Sequence, residues 1–174
     1  MSPVEVVRTY LEMDSPDRQA GRAALPPGCT VEHEACDPAL YRELYASVGG
    51  DYHWRDRLSW TDARLIAHLA DPDITVRVLR EGRAARGFFE LARHQDGSVE
   101  IAYFGLMAAA IGRGLGRALL TRAMEAAWNL RPEPSRVWLH TCTLDHPAAL
   151  ANYLARGFRV TRTERYTVDL PAPA

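Results

Sequence analysis

Three glycines within five residues, Gly112, Gly114 and Gly116, are the clearest provision for chemistry in this sequence. They follow a strand-like apolar run (Val99, Ile101, Tyr103, Phe104, Leu106), and a helical pattern begins directly after them. Glycine accepts the backbone of a tight loop and lets a ligand approach closely. The first turn of a helix adds unpaired N–H donors and the positive end of a dipole. The natural guest of such a loop is phosphate. Arg113 and Arg117 lie in or beside it, and guanidinium groups grip phosphate oxygens in a bidentate fork. A glycine-rich turn that only packs a helix on a sheet carries the same glycines, so they do not decide the matter alone.

A second concentration of functional side chains lies in residues 51–60, where Tyr52, His53, Trp54 and Trp60 alternate with Asp51 and Asp56. Aromatic faces beside carboxylates suit a cationic amine. Tryptophans that simply pin the loop to the core are the competing reading. Cys29, His33 and Cys36 are close in sequence, but their spacing is not a paired zinc pattern and no fourth ligand is evident, so no metal is expected. Three scattered cysteines also argue against a disulfide framework.

The chain that must position these groups has 174 residues, 47% hydrophobic and 25% charged, which fits one α/β-sized domain over residues 1–174. A net charge of -1 argues against a broad nucleic-acid surface. No stretch approaches the ~18 apolar residues of a membrane span. The start, MSPVEVVRTYLEM, lacks the plan of a signal peptide, and the expected compartment is the cytoplasm.

Residues 4–13 are rich in β-branched and aromatic side chains and read as a first strand, followed by a proline- and glycine-bearing excursion from Asp14 to Gly28 and a short strand at 29–34. Asp37 before Pro38 starts a helix through Leu40, Leu44 and Val48 that Gly49 and Gly50 stop. Thr61 caps another through Leu65, Ile66 and Leu69, ending at Asp71 and Pro72. Residues 74–79, 84–93 and 98–107 form three strands joined by short turns, hence an antiparallel meander. The glycine loop and its helix fill 112–130, and 136–142 is a buried strand. Asp145, His146 and Pro147 open the last helix, Gly157 ends it, residues 158–170 are strand, and Pro171–Ala174 is a tail.

In this arrangement the sequence resembles the GNAT superfamily of acyl-CoA-dependent N-acetyltransferases. Its pyrophosphate loop, Q/R-x-x-G-x-G/A, aligns with Ile111, Gly112, Arg113, Gly114, Leu115 and Gly116, with Ile111 in place of the first Gln or Arg. A second pattern, N-x-x-A-x-x-x-Y-x-x-x-G-F, aligns with His146, Ala149, Tyr153, Gly157 and Phe158, with His146 replacing the Asn. The resemblance covers roughly residues 37–170, while residues 1–36 match in layout only. The short C-terminal stretch leaves room for one long or bent strand rather than the family's closing hairpin, which leaves a homodimer through that edge open.

The resemblance implies an α/β (α+β) fold with a mixed, mostly antiparallel sheet, helices on both faces, and a parallel but splayed strand pair whose gap takes the pantetheine arm of acetyl-CoA. Gly105 would be the bulge where the splay begins, and the backbone of Leu106, Met107 and Ala108 would pair with the pantetheine amides. The loop from Ile111 to Arg117, with His146 and Asn152, completes the implied cofactor set, and Tyr52, His53 and Trp54 the acceptor set. No metal enters. Glu100, eleven residues before Ile111, corresponds to a catalytic glutamate of some members, and Tyr153 to the tyrosine aimed at the sulfur. A lysine-like amine of pKa ~10.4 needs such a base before it attacks a thioester. Glu90 and His140 are reserve bases, and the Leu106 N–H is a donor for the developing oxyanion. The implied activity is acetyl transfer to a primary amine, on a small molecule or a peptide N-terminus. A domain of the same fold that binds acyl-CoA as a sensor or scaffold is the alternative. A dinucleotide-binding unit is excluded, because short turns rather than crossover helices join the strands before the loop.

Overall fold

The computed structural model of the chain describes residues 2–170, so the Pro171–Ala174 tail lies outside the described residues. Its elements are β1 (Ser2–Met13), β2 (Cys29–His33), α1 (Pro38–Gly49), α2 (Asp62–Leu69), β3 (Ile74–Glu81), β4 (Ala84–Arg93), β5 (Val99–Leu106), α3 (Leu115–Trp128), β6 (Val137–Cys142), α4 (Ala149–Ala155) and β7 (Arg159–Leu170). Local chemistry explains the helix starts. The Asp37 carboxylate accepts from the Leu40 N–H at 2.8 Å and the Thr61 hydroxyl from the Arg64 N–H at 3.2 Å, each satisfying a donor that the first turn leaves unpaired.

The strands form one sheet in the order β2-β3-β4-β5-β6-β1-β7. Every neighbouring pair is antiparallel except β5 and β6. α1 and α2 bury Tyr41, Leu44, Tyr45, Val48 and Leu65 against Val76, Val78 and Phe88 of the meander. On the opposite face, α3 packs Leu115, Leu119 and Ala123 against Phe89, Leu91 and Ile101. The period-2 alternation of β4 splits Phe88 and Phe89 between these two cores.

The C-terminal half resolves the missing hairpin. One strand, β7, follows Phe158, and β1 from the other end of the chain fills the slot between it and β6. Among the described residues the outer edge of β7 has no strand beside it.

Two expectations need correction. The irregularity in β5 lies at Ala102, since Glu90 pairs with Tyr103 but Leu91 with Ile101. Gly105 pairs regularly with Phe88, and it is glycine for a different reason: a Cβ there would stand 2.5 Å from Val48 Cγ1, so α1 needs the space. The last helix begins at Ala149, not at Asp145. The Asp145 carboxylate instead accepts from the Thr141 hydroxyl at 2.5 Å and the Cys142 N–H at 2.8 Å, closing a turn at the end of β6. Among the described residues no helix is long and apolar enough to cross a membrane.

Candidate active site

The parallel pairing of β5 with β6 holds only at Val99 with Val137 and Glu100 with Trp138. Beyond it the strands part beside the bulge at Ala102, and bulges increase local twist. The gap opens into a cavity of about 1010 Å³ that runs from the glycine loop past β5 and β6 to residues 52–57.

At the loop end, Gly112 and Gly114 hold φ of 80° and 75°. A Cβ at either would meet no heavy atom within 4 Å, so conformation rather than crowding calls for glycine. Gly114 stands before α3 without any side-chain cap, which leaves the first N–H groups of the helix free for an anion. Ile111, Gly112, Gly114, Gly116 and Arg117 line the cavity. Arg113 does not, among the described residues: its guanidinium bonds to Glu81, which also holds Arg86 at 3.1 Å. Leu115 contributes its place in the first turn while its side chain is buried in the core.

In the middle of the cavity, the Met107 N–H donates to the Arg86 carbonyl at 2.8 Å and so faces β4. Antiparallel alternation then turns the backbone groups of Phe104 and Leu106 into the gap. Of the expected run over residues 106–108, Leu106 alone turns its backbone into the gap, and Phe104 does so beside it. Ala108 opens a 3₁₀ turn, Ala108–Ala110, and its carbonyl accepts from the Ile111 N–H at 3.2 Å.

Tyr153 and Glu100 face this cavity from different elements. The Tyr153 ring packs edge-on to Phe104 and Phe158, with centroids at 6.3 and 6.0 Å. Burial, and secondarily the charge of Asp145, push the phenol above its ordinary range, so it stays protonated at neutral pH. Glu100 is bonded through Oε2 to His94 Nε2 at 2.9 Å. Asn152 and His146 also line the wall. The His146 Nδ1 accepts from the Ala148 N–H at 3.1 Å, which directs the ring toward Tyr52, with centroids 6.4 Å apart.

At the far end of the cavity from the glycine loop, Tyr52, His53 and Trp54 reach the wall. Trp54 also packs on Tyr103, Tyr45 and Phe88, with centroids at 5.0, 5.5 and 6.3 Å, so it serves the core as well. Among the described residues Trp60 is not in the wall. The guanidinium groups of Arg57 and Arg64 lie 4.0 and 3.9 Å from its ring.

Glu90 is fully buried and accepts from the Tyr41 hydroxyl at 2.5 Å and from Arg57 Nη2 and His68 Nε2 at 2.8 Å each. With both oxygens engaged, it anchors the 51–60 segment through Arg57. His140 is held below its ordinary pKa, first by burial and then by Arg8, and is neutral at pH 7. Arg8 and His94 belong to no recognisable motif, and sequence reasoning passed over both. Among the described residues no cluster of three or more His, Cys, Asp or Glu side chains is arranged to hold a metal ion.

The profile of the acetyltransferase (GNAT) family matches residues 38–158. The chain belongs to the GNAT family. Among solved structures it is similar to a GCN5-related N-acetyltransferase from Kribbella flavida, with a TM-score of 0.67 and 18% identity over 95% of this chain and 58% of that one. A GCN5-related N-acetyltransferase from Sphaerobacter thermophilus gives 0.67 and 18% over 97% and 55%. A tandem GNAT protein from the clavulanic acid biosynthesis pathway gives 0.62 and 16% over 95% and 55%. This GNAT chain thus spans little more than half the length of those proteins, and at such identities the likeness establishes the fold. No curated protein matches it.

Proposed function

We propose that this chain transfers an acetyl group from acetyl-CoA to a primary amine, on a small molecule or a peptide N-terminus, with Glu100 as general base and Tyr153 as general acid. The supporting observation is one continuous cavity that joins the glycine loop, the splayed strands and both of these side chains. The residues fit the cofactor: an uncapped helix start follows two positive-φ glycines, Arg117 stands beside it, and unpaired strand backbone lines the gap. When bound there, acetyl-CoA supplies a thioester as the acyl donor.

The chain's own groups would manage charge and protons. The free N–H groups at the start of α3 and Arg117 hold pyrophosphate, and the Leu106 N–H offers a donor for the acyl oxygen. Glu100 takes a proton from the ammonium through water, leaving a neutral amine that can attack. Making an amide from an ammonium and a thioester releases one proton overall. His94 provides its exit, because Glu100 lines the cavity whereas His94, bonded to it, lies outside the wall with 42% of its side chain exposed. Tyr153, kept protonated by burial, supplies a proton to the departing sulfur and regains one from the nitrogen, which sheds its second proton as the amide forms.

The test is thiol release from acetyl-CoA against a broad amine panel, with mass spectrometry of the acetylated product. Tyr153→Phe should lower kcat while leaving acetyl-CoA affinity nearly unchanged. Tight acetyl-CoA binding without acetylation of any amine would replace the enzyme with a binding domain.

A further inference from the structure

Arg8 lies in the middle of β1, opposite Cys142 of β6 on one side and Glu164 of β7 on the other. Cys142 is the last residue of β6 and lines the cavity, so Arg8 stands one strand spacing, about 4.8 Å, behind that wall. Its side chain lines the same cavity beside His140 and Tyr166. The guanidinium rests over the Tyr166 ring at 4.9 Å, and Nη2 donates to the Tyr166 hydroxyl at 3.4 Å. These contacts fix its direction without neutralising it.

A carboxylate does stand near, but loosely. Glu164 Oε2 is 3.9 Å from Arg8 Nη1 and already accepts from the Tyr10 hydroxyl at 3.1 Å. With 34% of its side chain exposed, Arg8 presents an oriented positive charge to the cavity. Of the other charged groups along the cavity, Arg57 is committed to Glu90, Asp145 to Thr141 and the Cys142 N–H, and Asp56 to the Tyr103 hydroxyl at 3.3 Å, while Arg117 belongs to the glycine-loop end, Arg55 to the loop after α1, and Asp169 to β7 five residues beyond Glu164. Glu100 lies on the other side of β6, on β5. The cavity therefore has an acidic wall for an ammonium and a cationic wall for an anion, on opposite flanks of one strand.

We infer that the acceptor is an amine that also carries a carboxylate, a free amino acid or short peptide, and that Arg8 binds this carboxylate while the amine faces Glu100. This rests on the acetyltransferase reading of the cavity. A guanidinium pairs with a carboxylate through two parallel N–H bonds, giving the acceptor one orientation as well as affinity. Arg8 is then a specificity residue, and neutral or purely cationic amines are poor acceptors.

The experiment compares amino acids and dipeptides, each as the free acid and as its C-terminal amide, by thiol release and product mass with acetyl-CoA. Purely cationic diamines complete the panel. The wild-type chain should use an acid at least about tenfold better in kcat/KM than its amide, the contribution expected of a charge-assisted bond. Arg8→Gln should erase that difference mainly through acceptor KM and leave acetyl-CoA affinity by calorimetry unchanged. Arg8→Lys should restore part of it. Equal use of acid and amide by the wild type, or a preference for diamines, would overturn the inference and leave the acetyltransferase reading standing. A preference that survives in folded Arg8→Gln would overturn the role of Arg8. A chain that acetylates no amine would remove the underlying reading and this inference with it.

Discussion

The two ends of the cavity are made of different material. The end proposed for the cofactor is mostly backbone: positive-φ glycines, the open first turn of α3, and the peptide groups of Phe104 and Leu106. The end proposed for the acceptor is mostly side chain, with Arg8 from β1, Trp54 and Asp56 from the loop after α1, Glu100 from β5, and His140 from β6. A backbone site needs a local conformation, which a few adjacent residues specify. A side-chain site needs tertiary folding to bring distant positions together. The first kind is therefore the more legible in sequence and the less tolerant of substitution.

The sharpest test of that contrast is Gly116→Asp. Gly116 sits in the first turn of α3, and a Cβ there would meet only Leu106 Cδ1, at 3.6 Å, an ordinary contact. An acidic residue in a first helical turn is favoured by the helix dipole, so Tm should hold or rise slightly. The same carboxylate would occupy and repel the phosphate position, and CoA affinity should fall about a thousandfold, equivalent to about 4 kcal/mol. Calorimetry with a melting curve checks both signs. Unchanged affinity in the folded variant would move the pyrophosphate elsewhere.

Glu100→Gln probes the acceptor end at its chemistry. It should lower kcat/KM by about a hundredfold, the lower part of the general-base range, and remove the acidic limb of the pH profile. Gln cannot bind the proton, but its amide oxygen still accepts from His94, so the local hydrogen bond survives. His94→Phe should cost less, and added imidazole should restore part of the rate. An acidic limb that persists in Glu100→Gln would pass the base role to another group on this wall, with neutral His140 the first to test.

The same division governed what the sequence disclosed. Asp37, Thr61 and the glycines act on neighbours within a few residues, so the helix starts and the conformation of the glycine loop were legible. β1 was legible as a strand but not as the filler between β6 and β7, because nothing local in residues 2–13 names a partner more than a hundred residues away. Asp145 looked like a helix cap because it precedes His146 and Pro147, yet a closer competitor, the Cys142 N–H, claimed its carboxylate. Gly105 was read as a bulge when its cause is Val48 on α1, a contact invisible in one dimension. Arg8 and His94 stand alone in sequence, and only the sheet gives them neighbours.

Trp54→Ala separates two duties within the acceptor end. Its ring fills the space beside Gly49, where a Cβ would approach it to 2.2 Å, and packs against Tyr45, Phe88 and Tyr103. Truncation should cost about 3 kcal/mol of stability, the low end for an aromatic packed on a core. It should also raise acceptor KM while sparing acetyl-CoA affinity. A drop in Tm with acceptor KM unchanged would give Trp54 to the core alone.

The smallest expected effect is also the finest test of backbone binding at the cofactor end. Arg113 and Arg117 look equivalent in sequence, one inside the glycine loop and one just after it. The fold separates them. Arg113 is turned outward to Glu81, and each holds the other in its charged form: the arginine's pKa is raised by Glu81, and the glutamate's is lowered by Arg113 first and Arg86 second. Arg117 lines the cavity in the first turn of α3. Arg117→Ala should therefore weaken CoA binding several-fold at low salt and less as ionic strength screens the phosphates. Arg113→Ala should leave affinity within about twofold, because an exposed ion pair on the outer side of the loop contributes little. If the helix N-terminus and the glycine backbone carry the phosphate, even the double variant should retain measurable CoA binding. Loss of all binding on removal of both guanidinium groups would make this end, too, a side-chain site, and the contrast between the two halves of the cavity would fail.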